Sequence, residues 1–191
     1  SAKAGAQFNY DSYVLEDVPA VVALVRELYP RRPVVIVGHS LGAHVSTVSA
    51  GVCSEKAPDA IVSIAGNMWI PSWEPSFLRR AKKTATLAGF LGLARAFGYF
   101  DPRPFRLGTE SMPAAFTQQL WTMWSTDRYG SMDGRIDYRA ALGRLTIPVF
   151  SVASEADTLL AHPAAVELFF APVAESLKTM RLLRTGELDG F

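Results

Sequence analysis

A single cysteine, Cys53, stands among 191 residues, so no internal disulfide can staple the fold, and cysteine usage fits a reducing, cytoplasmic compartment. Excess charge of either sign is missing too. Nineteen Lys and Arg against eighteen Asp and Glu give a net charge of +1, with the charges scattered along the chain. That balance recommends neither nucleic acid nor an anionic membrane surface as a partner. No apolar run is long enough to span a bilayer, and the longest, residues 85–100, carries Arg95. There is no amino-terminal secretory signal, and the chain begins with Ser1 rather than Met, which leaves room for an upstream segment. Metal-ligand spacing, a dinucleotide fingerprint and a phosphate loop are all absent, so neither a metal nor another cofactor is expected. What remains is globular material, 49% hydrophobic and 19% charged, with enough chain for one sizeable domain and a buried core.

Against that background one motif stands out. Residues 34–37 are Val-Val-Ile-Val, an apolar, β-branched run without polar alternation, the pattern of a strand buried on both faces. The run breaks into Gly38-His39-Ser40-Leu41-Gly42, a Gly-x-Ser-x-Gly sequence that continues as a predicted helix from Leu41 to about Val52. A serine on so sharp a strand-to-helix turn holds its hydroxyl exposed above a parallel sheet. Glycine is expected at both flanking positions because a Cβ at Gly38 or Gly42 would collide with the neighbouring strand or helix. The bare pentapeptide arises by chance in roughly one chain in twenty of this length. The strand before it and the helix after it give it meaning.

The rest of the chain supplies a frame for that turn. Residues 10–29 place apolar side chains near helical spacing, with Asp11 or Ser12 as the cap and Pro19 marking a first turn or a kink. Residues 60–65 read as a second buried strand, closed by Gly66. From 67 to 145 the character changes: strand patterns vanish, all four tryptophans occur here, and residues 76–97 and 112–124 read as helices. Arg79-Arg80 and Lys82-Lys83 read as a solvated face of the first of these. Strand pattern returns at 148–153, followed by a helix at Pro163–Phe170 and a last strand at Lys178–Leu183. Strands alternating with helices predict an α/β fold, a mostly parallel sheet with flanking helices. That core covers 1–66 and 146–191, and 67–145 is an inserted helical cap.

In two places the chain resembles the α/β-hydrolase family, and specifically a serine hydrolase with a helical cap. One is the Gly38 to Gly42 turn; the other is Ile147-Pro148-Val149-Phe150-Ser151-Val152-Ala153-Ser154-Glu155-Ala156-Asp157, with Leu159-Leu160-Ala161-His162-Pro163 after it. The cap region is similar, more loosely, to a bacterial subgroup of predicted hydrolases. The resemblance implies Ser40 as nucleophile, Asp157 as the acid of a catalytic triad, and the Leu41 backbone amide as an oxyanion-hole donor. Asn67 stands where some relatives carry the acid, a role its amide cannot fill. Trp69, Trp121, Trp124 and His162 are candidate substrate-binding residues around an apolar acyl pocket, although aromatics at such spacing also fit plain packing. The implied activity is hydrolysis of carboxylic esters of a small-molecule acyl substrate. An acyltransferase or thioesterase would use the same machinery, and a non-catalytic module is the alternative from another class.

Two parts of the family pattern are missing. Only about 32 residues precede the elbow strand, so the earlier strands are absent, and with them the loop that gives the second oxyanion amide; residues 1–7 resemble the end of the loop after the fourth strand. The triad histidine belongs after the last strand, and none follows Leu183. The resemblance therefore implies a fragment of a longer hydrolase, or a sequence lacking residues at both ends, whose elbow strand forms an exposed apolar edge prone to association. His39, His44 and His162 are assigned structural roles rather than that of the base.

Overall fold

The computed structural model describes residues 5, 7–105 and 107–186. In chain order, α1 (Tyr10–Ser12) runs through a π turn (Tyr13–Asp17) into α2 (Val18–Leu28), followed by β1 (Val35–His39), α3 (Leu41–Val52), β2 (Ala60–Ile64) and α4 (Phe77–Phe97). Then come β3 (Tyr99–Phe100), β4 (Met112–Pro113), α5 (Ala114–Thr126), α6 (Tyr138–Leu142), β5 (Val149–Ser154), α7 (Pro163–Phe170) and β6 (Lys178–Leu183). The chain divides into two compact units. A helical unit takes the described residues of Ser1–Ser12 and Trp69–Arg135, and a sheet unit takes those of Tyr13–Met68 and Ile136–Phe191. Of residues 1–7, read above as the end of a loop, only Gly5 and Gln7 fall within the described residues.

The sheet unit is the expected α/β architecture. Its four strands are parallel in the order β1-β2-β5-β6. In register, Ile36, Ile61 and Val149 line up on one face, and Val37, Val62 and Phe150 on the other. On the first face Ile61 and Val149 are buried, and α3 packs against β1 and β2. The opposite face is open among the described residues: Val35 and Val37 are 51% and 66% exposed, and Phe150 and Ile64 are exposed as well. The reading of 34–37 as buried on both faces is thus corrected. A β-branched apolar run reports that a strand favours burial, whereas coverage depends on which elements pack on each side, and β1 is an edge strand here.

Helix α3 is buried from Ala43 through Gly51, which accounts for its lack of a polar stripe. A Cβ at Gly51 would run into the Ala141 carbonyl, so glycine lets α3 pass close to α6. Residues 10–28 are helical throughout, with a π turn (Tyr13–Asp17) just ahead of Pro19, which sits in the first turn of α2 as expected. The cap of that run is neither Asp11 nor Ser12. Asn9 accepts the Ser12 backbone N–H on Oδ1 at 3.0 Å, the Asx geometry that starts a helical turn.

In the helical unit α4 packs along α5. Ser76 caps α4, its Oγ accepting from Arg79 N, and Gly98 ends it with φ +79, a left-handed conformation that suits glycine. Two short strands correct the expectation of none in this region: Tyr99 pairs with Pro113 and Phe100 with Met112, antiparallel. Two-residue ladders leave no alternation to read. Phe100 stacks between Phe90 and Phe105, with centroids 4.1 and 5.7 Å away. The basic residues of α4 are also not one solvated face. Lys83 is buried, its Nζ 2.9 Å from Glu74 Oε2 and 5.1 Å from the Trp69 ring centre, and Arg79 Nε lies 2.6 Å from Glu74 Oε1. Burial alone would raise the Glu74 pKa, but the hydrogen bonds from Lys83 and Arg79 overcome it and hold the carboxyl below its ordinary value.

Candidate functional site

The carboxyl ends of β1, β2 and β5 lead into the loops that carry Ser40, Asn67 and Asp157, and open parallel sheets bind ligands at this edge. Ser40 follows β1 with φ +50 and ψ −116, a region that non-glycine residues occupy only when the surroundings enforce it. The enforcement is visible. Ser40 N donates to Ile64 O at 2.9 Å, and Ser40 O accepts from Ala43 N at 3.0 Å and His44 N at 3.2 Å, opening α3. A Cβ at Gly38 would lie 2.6 Å from Gly42 O and 2.7 Å from Ala43 Cα, so the strand can meet the helix only as glycine. The parallel expectation for Gly42 is corrected: a Cβ there meets nothing within 4 Å. Ser40 is exposed and its side chain makes no capping hydrogen bond, although it occupies the N-cap position of α3. Leu41 is the first residue of that helix, where backbone N–H groups have no intrahelical acceptor.

Asp157 sits in the loop after β5, half-buried. Its Oδ1 accepts from Leu159 N at 3.1 Å and Leu160 N at 2.8 Å, and its Oδ2 accepts from Ala161 N at 2.9 Å. An ionised carboxylate has about four acceptor positions, so one on Oδ2 stays available to another donor. Sequence alone did not disclose this cradle of amides, because the donors are backbone groups of the following turn. His162, further along the same turn, is the N-cap of α7, and its Nδ1 accepts from Ala164 N at 3.2 Å. His44, one turn beyond Ser40 on α3, is buried, and burial pushes its pKa down to about 3, so it is uncharged near neutrality. His39 is exposed rather than packed beside the elbow, contrary to the structural role expected of it.

Asn67 follows β2, the strand between those of Ser40 and Asp157, and is buried with its Nδ2 unpartnered. The Ser63 and Ser151 hydroxyls, register neighbours on the buried face, are unpartnered as well. A serine within a strand carries no sequence signal of such a deficit.

The structure thus brings Ser40, Leu41, Asp157 and His162 into the sheet unit, and Trp69, Trp121 and Trp124 into the helical unit. Trp69 and Trp121 are half-buried. Trp124 is buried, and its indole N–H donates to Thr84 Oγ1 at 3.0 Å, which makes it a packing residue between α5 and α4. Among the described residues no group of three or more His, Cys, Asp or Glu could hold a metal ion, and no helix is long and apolar enough to cross a membrane.

A sequence model of the alpha/beta hydrolase family matches residues 4–185. No curated protein matches the chain. Among solved structures, a monoacylglycerol lipase of Paleococcus ferrophilus is similar with a TM-score of 0.54 at 15% identity, over 90% of this chain and 65% of that one. A lipase-esterase related protein of Clostridium acetobutylicum gives a TM-score of 0.51 at 14% identity, over 95% of this chain and 70% of that one. Alpha/beta hydrolase domain-containing protein 10 from mouse gives 0.50 at 15% identity, over 94% and 62%. These identities speak to the fold alone. The chain spans less than two thirds of the Paleococcus lipase and of the mouse protein.

Proposed function

The chain belongs to the alpha/beta hydrolase family, and from that premise we propose that it is the larger part of a serine-dependent hydrolase of carboxylic esters with an apolar acyl group. The Ser40 hydroxyl gives its proton to the base as Oγ attacks the ester carbonyl carbon, the protonated base hands that proton to the departing alkoxide, and water then hydrolyses the acyl-enzyme to release the acid and restore the serine. The observation that carries this reading is the forced left-handed backbone of Ser40 above the glycine contact at Gly38. A strained conformation kept by its surroundings is what a nucleophile aimed away from its own backbone requires. The Leu41 amide donates to the oxyanion at the start of α3. Asp157 orients the base through its free Oδ2 position, its other positions being filled by backbone amides. The base is a histidine other than His39, which adjoins Ser40 on the turn itself, His44, which is buried, and His162, which caps α7.

A fluorophosphonate probe on the full-length protein is expected to label Ser40, and Ser40→Ala is expected to remove both the label and at least about a thousandfold of ester turnover. Labelling that persists in Ser40→Ala, or turnover that survives it, would falsify the assignment.

A further inference from the structure

We propose that His162 is a pH-sensitive latch on the loop that carries Asp157: the neutral imidazole fastens that loop to α7, and protonation releases it. The first turn of α7 gives one side chain this leverage. Pro163 has no N–H, and Ala165 N and Val166 N donate to His162 O at 2.8 and 3.1 Å. Ala164 N is the remaining donor of that turn, and its acceptor is His162 Nδ1 at 3.2 Å. A ring nitrogen accepts only when it carries no proton, so the contact selects the neutral imidazole with its hydrogen on Nε2. The usual N-cap side chains, those of Ser, Thr, Asp and Asn, keep their acceptors between pH 5 and 8. Histidine changes charge in that range and gives its acceptor up.

Protonation works against the cap twice. It removes the lone pair that Ala164 N uses, and it sets a cation at the helix end whose dipole is already positive. Release reaches Asp157 because both residues belong to one short turn: Leu159 N and Leu160 N donate to Asp157 Oδ1, Ala161 N donates to Oδ2, and His162 comes next. Among the described residues His162 enters no ion pair that would hold it once charged. The ionisable groups on the surrounding elements are otherwise engaged or exposed. Asp157 is taken up by its three amides, Glu155 Oε2 accepts from Thr185 N at 3.4 Å, and Lys178 pairs with Glu175 and donates to Phe170 O. Glu167 on α7 and Arg181 on β6 are exposed. Where Asp157 serves as the acid, the reading on which the catalytic consequence rests, acidification loosens the group that orients the base.

The test is the exchange of backbone amides with water, followed by nitrogen-15 NMR at about pH 8 and about pH 5, each rate divided by that of an unstructured peptide at the same pH. Protection of the Ala161 and Ala164 amides is expected to fall about fivefold at the lower pH, the worth of an ordinary N-cap. His162→Asn keeps a capping acceptor that does not titrate, and should hold its protection at both pH values. His162→Ala should be loose at both, with an unchanged circular dichroism spectrum. His44 is common to parent and variants, so its burial cancels in the comparison. A long-range nitrogen–proton spectrum at about pH 8 should find the His162 proton on Nε2. Ser40→Ala should exchange like the parent, so failure of the latch and failure of the nucleophile assignment are told apart. Equal protection at both pH values in the parent, greater protection at the lower one, or a proton on Nδ1 would overturn the proposal. So would a fall that persists in His162→Asn, which would assign the response to Asp157 or Glu155.

Discussion

Gly38 and Gly42 flank the same serine, and the sequence offers no means of ranking them. In the fold, a Cβ at Gly38 would press into the Gly42 carbonyl and the Ala43 backbone, while at Gly42 it would meet open space. Gly38→Ala should therefore destabilise the chain by about 1–3 kcal/mol. Gly42→Ala, within α3 and free of contacts, should stabilise it by about 0.5–1 kcal/mol through the smaller entropy of its unfolded state. Urea titration distinguishes the two, and equal midpoint shifts would sink the argument. Ser40 stood out in the sequence because its motif is tied to backbone geometry, and Asp157 only through the family resemblance. The amides around Asp157, the unpartnered Asn67 and the Glu74–Lys83 pair did not, since their partners are backbone groups or side chains chosen by tertiary packing.

Among the elements, Pro163–Phe170 and Lys178–Leu183 coincide with their sequence expectation, because capping and apolar period agree there. β3 and β4 were invisible, as a two-residue ladder has no period. Helix α3 was legible in extent but not in consequence. It buries His44, whose pKa falls from 6.5 to about 3. Below pH 6.5 the unfolded chain binds a proton that the folded chain refuses until about pH 3, so unfolding gains free energy as pH drops. This group should remove roughly 1.4 kcal/mol of stability per pH unit across that window, with no contribution from it above pH 6.5. Urea unfolding of parent and His44→Gln at pH 4.5 to 7.5, followed by far-ultraviolet circular dichroism, measures the difference in slope; parallel pH dependences would show that His44 does not couple to folding.

For the whole molecule, the open sheet face and the β1 edge are the largest departure from what a β-branched run suggests. Among the described residues Val35 and Val37 face outward and β1 pairs with a strand on one side only, which leaves a template for another strand. The 191-residue chain should therefore self-associate as concentration rises. Val37→Lys should shift sedimentation velocity toward monomer by placing a charge on the edge, and a parent that stays monomeric at high concentration would contradict this. The α/β class was legible because alternation of strands and helices survives any local error. Coverage of each face was not, because it is a property of neighbours.

One further consequence concerns the order in which the chain is made. Tyr10 hydroxyl lies 2.6 Å from that of Tyr129, Tyr10 N donates to Gln119 Oε1 at 3.0 Å, and Asp11 Oδ2 accepts from Met132 N at 2.8 Å. The intervening residues include all of β1, α3 and β2. At about 5–20 residues per second of synthesis, the first segment leaves the ribosome on the order of 5–20 seconds before its partners exist. During that interval Tyr10 and Asp11 wait for Gln119, Tyr129 and Met132, and the elbow has every opportunity to form first.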